Sequence, residues 1–330
     1  MPISGKSVLV TGGTGSFGQK FVEIALRDYE PRRLAILSRD ELKQYDMHQK
    51  FGNHPKLRYF LGDVRDKERL YRAFREVDIV VHAAALKQIP AAEYNPFEVV
   101  KTNIIGAQNI IEAAIDCKVK QVIALSTDKA ANPINLYGAT KLSSDKLFIA
   151  GNSYVGDQDT NFSVVRYGNV VASRGSVIPF FLQNKKNGKI PITDPRMTRF
   201  WITLEQGVHF VLNSLQRMTR GEIFVPKLPS MKITDLATAL APGCEHEIVG
   251  IRPGEKLHEV MISEEDARVS LEFDDYFVIV PQFSWWKHDK CKEGKPLSDG
   301  FVYSSDRNDW WLDEEGIIQL VRTSMPELEL

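Results

Sequence analysis

Cysteine is scarce in this sequence and is not arranged as a framework. Only three cysteines occur in 330 residues, Cys117, Cys244 and Cys291, and no two of them form a C-x-x-C pair. An odd number of widely spaced cysteines indicates neither a disulfide scaffold nor a zinc site. The seven histidines, His82 among them, also lack the spacing of metal ligands, so we expect no metal. This cysteine usage fits a reducing cytoplasm.

An excess of charge and long apolar runs are also lacking. The 42 Lys and Arg residues nearly balance the 43 Asp and Glu residues, giving a formal net charge of −1. Nothing electrostatic therefore favours nucleic acid or an anionic membrane as a partner. No apolar run reaches the roughly 20 residues that span a bilayer. The opening MPISGKSVLVTGG lacks the plan of a signal peptide, so we expect a cytoplasmic protein.

Strand and helix patterns alternate through the first half of the chain. A hydrophobic content of 43% in 330 residues is enough for a sizeable buried core. Alternation of this kind is typical of βαβ units with a parallel sheet covered on both faces. We therefore predict an α/β protein with a Rossmann-type doubly wound parallel sheet. The predicted strands are 7–13, 32–40, 57–64, 77–85 and 120–127, and the predicted helices include 21–29, 68–76 and 97–117.

After about residue 170 the pattern changes to loops rich in Pro and Gly. We predict a cofactor-binding domain over 1–168, to which the chain returns around 200–225. Residues 169–330 are then mainly a smaller, mixed α/β substrate-binding domain over the carboxyl ends of the strands, where open α/β sheets bind ligands. The tail contains four of the five tryptophans, at 285–286 and 310–311. Paired indoles in a tail are typical of docking against the body or a neighbouring subunit.

A glycine-rich turn follows the first predicted strand and precedes a helix. Residues 11–18 read TGGTGSFG, and the glycines stand at positions 12, 15 and 18. Glycines let such a turn close and let backbone N–H groups approach a pyrophosphate at a helix N-terminus. The turn predicts a dinucleotide site whose contacts include Gly12, Thr14, Gly15, Ser16, Phe17 and Gly18.

The end of the second strand, LSRDELK, bears on which dinucleotide binds. Ser38, Arg39 and Lys43 suit a 2′-phosphate, because arginine binds phosphate with a fork of donors. This favours NADP. Asp40 keeps NAD open, since NAD sites usually place an acidic residue here to bind the ribose. The loops after the third and fourth strands add further predicted cofactor contacts at Asp63, Val64, Ala83, Ala84 and Ala85.

The stretch STDKAANPINLYGATK, residues 126–141, contains the predicted reaction chemistry. Tyr137 and Lys141 are four residues apart at the start of a helix and share one face. A nearby ammonium and the positive nicotinamide ring would lower the pKa of Tyr137, so that its phenolate accepts a proton from a substrate hydroxyl. Lys141 would also bind the nicotinamide ribose. Thr127, Asp128 and Lys129 end the fifth strand and should face the cleft.

These motifs together resemble a known family. TGGTGSFG, HAAALKQIP, STDKAANPINLYGATK and VVRYGNVVASRGSVIPFF are similar to the extended short-chain dehydrogenase/reductase superfamily. Within it they resemble the inverting UDP-N-acetylglucosamine 4,6-dehydratases, the first enzymes of pseudaminic acid synthesis. The similarity includes RPGEKLHE, residues 252–259, and the Trp-rich tail. The Asp-Lys pair after Ser-Thr is the more specific feature, since sugar dehydratases that retain configuration commonly carry Asp-Glu there.

The resemblance implies a lyase that uses tightly bound NADP as a catalyst. Such an enzyme oxidises C4 of the sugar, eliminates water across C5 and C6, and returns hydride to C6. Asp128 would protonate the departing C6 hydroxyl, and Thr127 would hydrogen-bond the sugar. Lys129 would remove the C5 proton, provided that its pKa is lowered by desolvation and neighbouring positive charge. Val170 completes the predicted cofactor contacts.

The resemblance also implies where UDP-N-acetylglucosamine binds. Asn169 and Arg174 would contact the diphosphate region, and the segment 191–201 would cover the uridine. Arg199 and Arg252 are further candidate cations, with Lys87 in the loop after the fourth strand. The remaining predicted substrate contacts are Thr193, Met197 and Glu255.

Other activities remain open from the sequence. A retaining nucleotide-sugar 4,6-dehydratase and a 4-epimerase belong to the same superfamily, although an epimerase needs no acid–base pair at C5 and C6. A non-catalytic NADP-binding protein is the alternative from another class. We also expect a homo-oligomer, for which the apolar helix faces at 97–117 and 138–150 are candidates.

Overall fold

The computed structural model describes residues 1–171, 177–283 and 293–326. The strands of the described chain are β1 (Ser7–Thr11), β2 (Arg33–Ser38), β3 (Leu57–Leu61), β4 (Ile79–His82), β5 (Gln121–Leu125), β6 (Asn161–Val165), β7 (Asn169–Val170), β8 (Lys189–Ile192), β9 (Thr198–Ile202), β10 (Ile223–Pro226), β11 (Ser230–Lys232), β12 (Glu245–Ile248), β13 (Val260–Ile262), β14 (Ser270–Glu272), β15 (Tyr276–Ile279), β16 (Lys295–Pro296) and β17 (Tyr303–Ser304).

Helices alternate with these strands through the first half of the chain and continue, less regularly, through the second half. They are α1 (Ser16–Asp28), α2 (Glu41–Phe51), α3 (Lys67–Ala73), α4 (Ile89–Tyr94), α5 (Pro96–Val100), α6 (Gly106–Asp116), α7 (Leu136–Gly151), α8 (Val177–Lys185), α9 (Leu204–Arg217), α10 (Ile233–Leu240), α11 (Glu264–Ala267) and α12 (Glu314–Ser324). A π-helical turn, Lys101–Ile105, joins α5 to α6, and a 3₁₀ turn, Asp128–Ala130, follows β5.

The large sheet has ten strands in the described chain, in the order β16-β14-β15-β10-β6-β5-β4-β1-β2-β3. The run from β10 to β3 is parallel, whereas β15, β14 and β16 pair antiparallel at one edge. Strand β1 is buried along its whole length, as expected for a central strand covered by helices on both faces. The predicted doubly wound parallel sheet is therefore present.

The second half of the chain contributes to two cores. Helix α9 packs against α1, and β10, β14, β15 and β16 extend the large sheet. A second hydrophobic core lies between α8, α10, α12 and the strands β8, β9 and β11. This second body is mixed α/β and stands over the carboxyl ends of the parallel strands.

The tail returns to the body of the protein. Helix α12 packs on α10, and the backbone of Trp310 accepts a hydrogen bond from Ser230 of β11 at 2.8 Å. The Trp311 indole donates to the Asn308 carbonyl at 2.6 Å. The other predicted pair, 285–286, lies outside the described residues. In the part of the chain that the structure describes, no helix combines the length and apolarity needed to cross a bilayer.

The predicted continuous helix over 97–117 is wrong in one detail. The structure divides it into α5, the π-helical turn and α6. The turn contains Asn103, whose side chain exchanges two hydrogen bonds of 2.9 Å with the backbone of Leu86 and donates to Thr140 at 3.0 Å. These tertiary contacts coincide with the local irregularity, which brings Thr102 into the wall of the neighbouring cleft.

Candidate active site

One large cleft lies at the carboxyl ends of the parallel strands, between the sheet and the second body. Its volume of about 1240 Å³ exceeds the roughly 300–1,000 Å³ of an ordinary small-molecule site. It therefore has room for two ligands. Every predicted site residue that the structure describes lines this cleft. Arg174 lies outside the described residues.

The glycine-rich turn fits a dinucleotide pyrophosphate. Gly12 has a φ of +64°, and a Cβ there would lie 2.9 Å from the Ala84 backbone. A Cβ on Gly18 would lie 2.3 Å from the Gly13 carbonyl oxygen, so the turn closes only with glycine. Gly15 precedes helix α1 at the N-cap position and provides no side-chain cap. The first N–H groups of the helix consequently remain available to an anion.

The residues after β2 bring one carboxylate and two cations to the cleft. The Asp40 carboxylate caps α2, accepting from the Lys43 backbone at 3.0 Å, and it also pairs with the Lys43 ammonium at 2.7 Å. Arg39 is exposed at the cleft edge, and its guanidinium lies 3.6 Å from Asp63. The acidic group that would bind an NAD ribose is thus already engaged by its own helix, while a guanidinium stands at the edge.

Tight packing brings Tyr137 beside the turn that follows β5. The Asn135 side chain caps α7, accepting from the Gly138 backbone at 2.8 Å. A Cβ on Gly138 would lie 2.2 Å from the Lys129 carbonyl oxygen. Because only glycine allows this approach, the first turn of α7 and the Asp128–Ala130 turn meet closely. Lys141 is buried, and its ammonium donates to the Leu125 carbonyl at 2.7 Å.

The pKa of Tyr137 differs from the sequence-based expectation. In the protein alone, burial raises the pKa of Tyr137 to about 12, and the Lys129 charge and the Thr127 hydroxyl oppose this rise. The ammonium that acts on the pKa of Tyr137 is thus that of Lys129. Burial itself lowers the pKa of Lys141, against the effect of Asp145.

Lys129 lies between two buried carboxylates. Its Nζ is 3.1 Å from Asp128 Oδ1 and 3.0 Å from Glu259 Oε1. Burial would lower the pKa of Lys129, but the charges of Asp128 and Glu259 outweigh it and raise the pKa above its usual value. The expectation of a lowered pKa is therefore wrong for the resting protein, which holds Lys129 as an ammonium.

Asp128 is the carboxylate of this pair that lines the cleft. It is 1% exposed, its Oδ1 accepts from the Thr127 hydroxyl at 2.8 Å, and its Oδ2 has no hydrogen-bond partner among the described residues. Burial raises the pKa of Asp128, and the Glu259 charge raises it further. A carboxyl group with a raised pKa is better suited to donate a proton than an ordinary aspartate, which is what a general acid requires.

The predicted substrate-binding residues differ in whether their polar atoms already have partners within the protein. Asn169 Oδ1 and Glu255 Oε2 are buried without a hydrogen-bond partner in the described chain, so both oxygens are available to a ligand. Arg252 is exposed, 3.9 Å from Glu255. The guanidinium of Arg199 instead donates to three backbone carbonyls, which fixes the loop after Arg252; these belong to Thr198, Lys256 and Leu257.

Sequence reasoning missed two buried carboxylates beside the site. Asp145 continues the spacing of four from Tyr137 and Lys141, a signal that could have found it. Its carboxylate accepts from the Ser126 hydroxyl at 2.7 Å and lies 3.6 Å from the Arg166 guanidinium. Glu259 ends the RPGEKLHE motif, and nothing in its local pattern pointed to the partner it has in the fold.

Comparison with known proteins assigns the chain to a family. The model of the family described as polysaccharide biosynthesis protein matches residues 8–281. The chain belongs to this family. It is 56% identical to the UDP-N-acetylglucosamine 4,6-dehydratase (inverting) of Campylobacter jejuni subsp. jejuni serotype O:2, over 96% of this chain and 97% of that protein. The resemblance drawn from the motifs is thereby confirmed.

The chain is also similar to a relative with another named activity. The chain is 44% identical to the UDP-glucose 4-epimerase of Rickettsia canadensis, over 83% of this chain and 82% of that protein. Among solved structures, Pen from Bacillus thuringiensis superposes with a TM-score of 0.88 at 34% identity, covering 98% of this chain and 100% of that chain. This likeness confirms the predicted fold class.

Proposed function

We propose that this protein is an inverting UDP-N-acetylglucosamine 4,6-dehydratase, a lyase that supplies the first step of pseudaminic acid synthesis. The observation that carries the proposal is the Asp128–Lys129 pair beside Tyr137 on the floor of a cleft with room for two ligands. The 56% identical relative of that name supports the substrate. The product would be UDP-2-acetamido-2,6-dideoxy-β-L-arabino-hex-4-ulose, made in the cytoplasm by a homo-oligomer.

The proposed cofactor is tightly bound NADP, which when bound takes hydride from C4 and returns it to C6. The glycine turn and the start of α1 would hold its pyrophosphate. Arg39 and Lys43 would hold the 2′-phosphate, because both carry positive charge at the edge of the cleft. Lys141 would hold the nicotinamide ribose.

Three side chains would move the protons. Tyr137 takes the proton of the C4 hydroxyl, and the resulting ketone acidifies the hydrogen on C5. Asp128 donates its proton to the C6 oxygen, which departs as water. Lys129 accepts the C5 proton as an amine, after the resting ammonium has released one proton to solvent. As hydride enters C6, a solvent-derived proton reaches the opposite face of C5 and completes the inverted product. Glu255 and Asn169 offer their unpartnered oxygens to the nucleotide.

Mass spectrometry tests this proposal without added dinucleotide. The purified protein, incubated with UDP-N-acetylglucosamine, should yield a nucleotide sugar lighter by one water. The matched variant Lys129→Met keeps the side-chain length and removes the amine, so it should form no such product while still binding UDP. Full activity of this variant would remove Lys129 from the mechanism.

A 4-epimerase is the second candidate, because the 44% identical relative carries that name. Epimerisation at C4 needs no acid or base at C5 and C6, so it leaves Asp128 and Lys129 without a task. A product of unchanged mass but altered C4 configuration would favour the epimerase. Absence of any product, even with NADP supplied, would favour a non-catalytic NADP-binding protein.

The choice of NADP depends on Arg39. Arg39→Ala removes the guanidinium beside the proposed 2′-phosphate, so the variant should retain less NADP and relatively more NAD when both are offered at equal concentration. We expect a shift of at least tenfold in the retained ratio, since a charge-assisted hydrogen bond contributes about 1.5–3 kcal/mol. Dinucleotide released on denaturation, separated by chromatography, gives the ratio, and an unchanged ratio would contradict the assignment.

A further inference from the structure

Glu259 is a buried carboxylate to which the proposed proton transfers assign no role. It immediately precedes β13 and is 1% exposed. Its backbone N–H donates to the Ser305 hydroxyl at 2.9 Å, and its carbonyl accepts from the Ser305 backbone at 2.8 Å. These two hydrogen bonds fix the main chain at Glu259. The side chain contacts Lys129 beneath the cleft and does not itself line the cleft.

Three cations surround this carboxylate. Its Oε1 lies 3.0 Å from Lys129 Nζ and 3.8 Å from Arg199 Nε, and its Oε2 lies 3.9 Å from Lys256 Nζ. Lys256 and Arg199 themselves are largely buried. A carboxylate in this position is strongly favoured in its ionised form, and the cations outweigh the cost of burial to lower the pKa of Glu259.

Asp128 competes with Glu259 for the same ammonium. The two carboxylates lie 3.1 and 3.0 Å from Lys129 Nζ, and like charges at one site cannot both ionise easily. Arg199 and Lys256 approach Glu259, so a negative charge is more stable on Glu259 than on Asp128. Without Glu259, Asp128 would be the one carboxylate of this pair left beside Lys129 and would more readily lose the proton that a general acid needs.

We propose that Glu259 is the counter-ion of Lys129, a positioning residue that leaves Asp128 free to hold the proton it donates to the C6 oxygen. The inference deepens the proposed dehydratase function and rests on it for its kinetic test. Glu259 does not line the cleft, so its effect would pass through Lys129 and Asp128.

Several charged groups from other elements also face Lys129. Arg199 comes from β9, Lys256 from the segment before β13, Lys87 from the loop after β4, and Tyr137 from α7. Arg199, Lys256 and Lys87 remain in place when the charge of Glu259 is removed. The remaining positive charge then favours the ionised form of Asp128 and the neutral amine form of Lys129, so the pKa of each group should fall.

The test is Glu259→Gln, which keeps the shape and removes the charge. Both limbs of the pH profile of kcat should move to lower pH by about one unit or more. At the alkaline end kcat should fall at least tenfold, with KM little changed. Reduction of bound cofactor on adding substrate should persist, because C4 oxidation depends on Tyr137. Glu264→Gln removes the same charge from an exposed position nearby and should leave the profile unchanged.

Two further measurements keep the test decisive. Glu259→Asp retains the charge and should restore most of the alkaline activity, even if Glu259→Gln folds poorly. Carboxyl-labelled aspartate NMR of the full protein, assigned with Asp128→Asn, reports the pKa of Asp128 without any substrate. It should fall in Glu259→Gln.

The outcomes separate this inference from the proposed function. If the wild-type protein converts the sugar but Glu259→Gln leaves the pH profile and the Asp128 titration unchanged, the counter-ion role is wrong and the dehydratase stands. If no sugar is converted but the Asp128 titration shifts as expected, the proposed function fails while the charge arrangement stands.

Discussion

At the residue scale, burial gives neighbouring side chains in this site different proton affinities. Asp128 and Lys129 are adjacent in the chain, yet the first tends to gain a proton and the second to keep one. The sequence predicted both residues, because their place at a strand end beside Tyr137 is local information. The charge state of Lys129 could not be predicted, since it depends on Glu259, which is distant in the chain and reaches Lys129 only through the fold.

His82 offers a prediction about stability and pH. It is 2% exposed and lies 2.8 Å from the Thr11 hydroxyl. Burial, aided by the Lys141 charge, lowers the pKa of His82 from 6.5 to about 3. The unfolded chain therefore binds a proton below about pH 6.5 that the folded protein excludes, and stability is lost as the pH falls through this range. The loss should be about 2 kcal/mol between about pH 7 and pH 5.

Chemical denaturation at several pH values measures this loss. His82→Asn removes the titrating ring and retains a polar group near Thr11, so its unfolding free energy should decline less steeply toward acid than that of the wild type. Parallel declines in the two proteins would show that His82 is not the group responsible.

At the element scale, the contact between α7 and the turn after β5 sets the geometry of the site. Gly138 meets the Lys129 carbonyl so closely that a Cβ would lie 2.2 Å away. The Tyr-x-x-x-Lys spacing predicted which face of α7 lines the site. The close approach of the two backbones depends on tertiary packing, so the spacing could not predict it. The π-helical turn at Lys101–Ile105 could not be predicted from local sequence either. Its buried Asn103 forms hydrogen bonds with Leu86 and Thr140, which are distant in the chain.

Gly138→Ala should separate these two elements. The methyl group forces α7 away from the turn, at a cost of about 1–3 kcal/mol for overpacking, and displaces Tyr137 relative to Lys129. We expect activity to fall at least tenfold along with the melting temperature. Ala139→Gly, at the exposed neighbouring position, lowers helix stability by up to about 1 kcal/mol and should preserve activity. Equal activity in both variants would contradict the role of this contact.

At the scale of the whole molecule, the strand–helix alternation of the first half was enough to predict the sheet. The return of the chain to that sheet through β14, β15 and β16 was not predicted, because these short strands follow loops and carry little periodicity. The second body was predicted as a covering for the cleft, and it has a hydrophobic core of its own. Arg199 was predicted to bind the substrate because of its place in a motif. Its guanidinium instead donates most of its hydrogen bonds to backbone carbonyls and so fixes a loop.

Proton NMR of the purified protein with UDP-N-acetylglucosamine in deuterated water tests the central claim most directly. The proposed inverting dehydratase predicts a new 6-methyl signal, deuterium at C5 and the couplings of the L-arabino 4-keto sugar, with no added NADP. A D-xylo product would contradict inversion while keeping the dehydratase. An unchanged substrate in the presence of NADP would contradict the substrate and the reaction together.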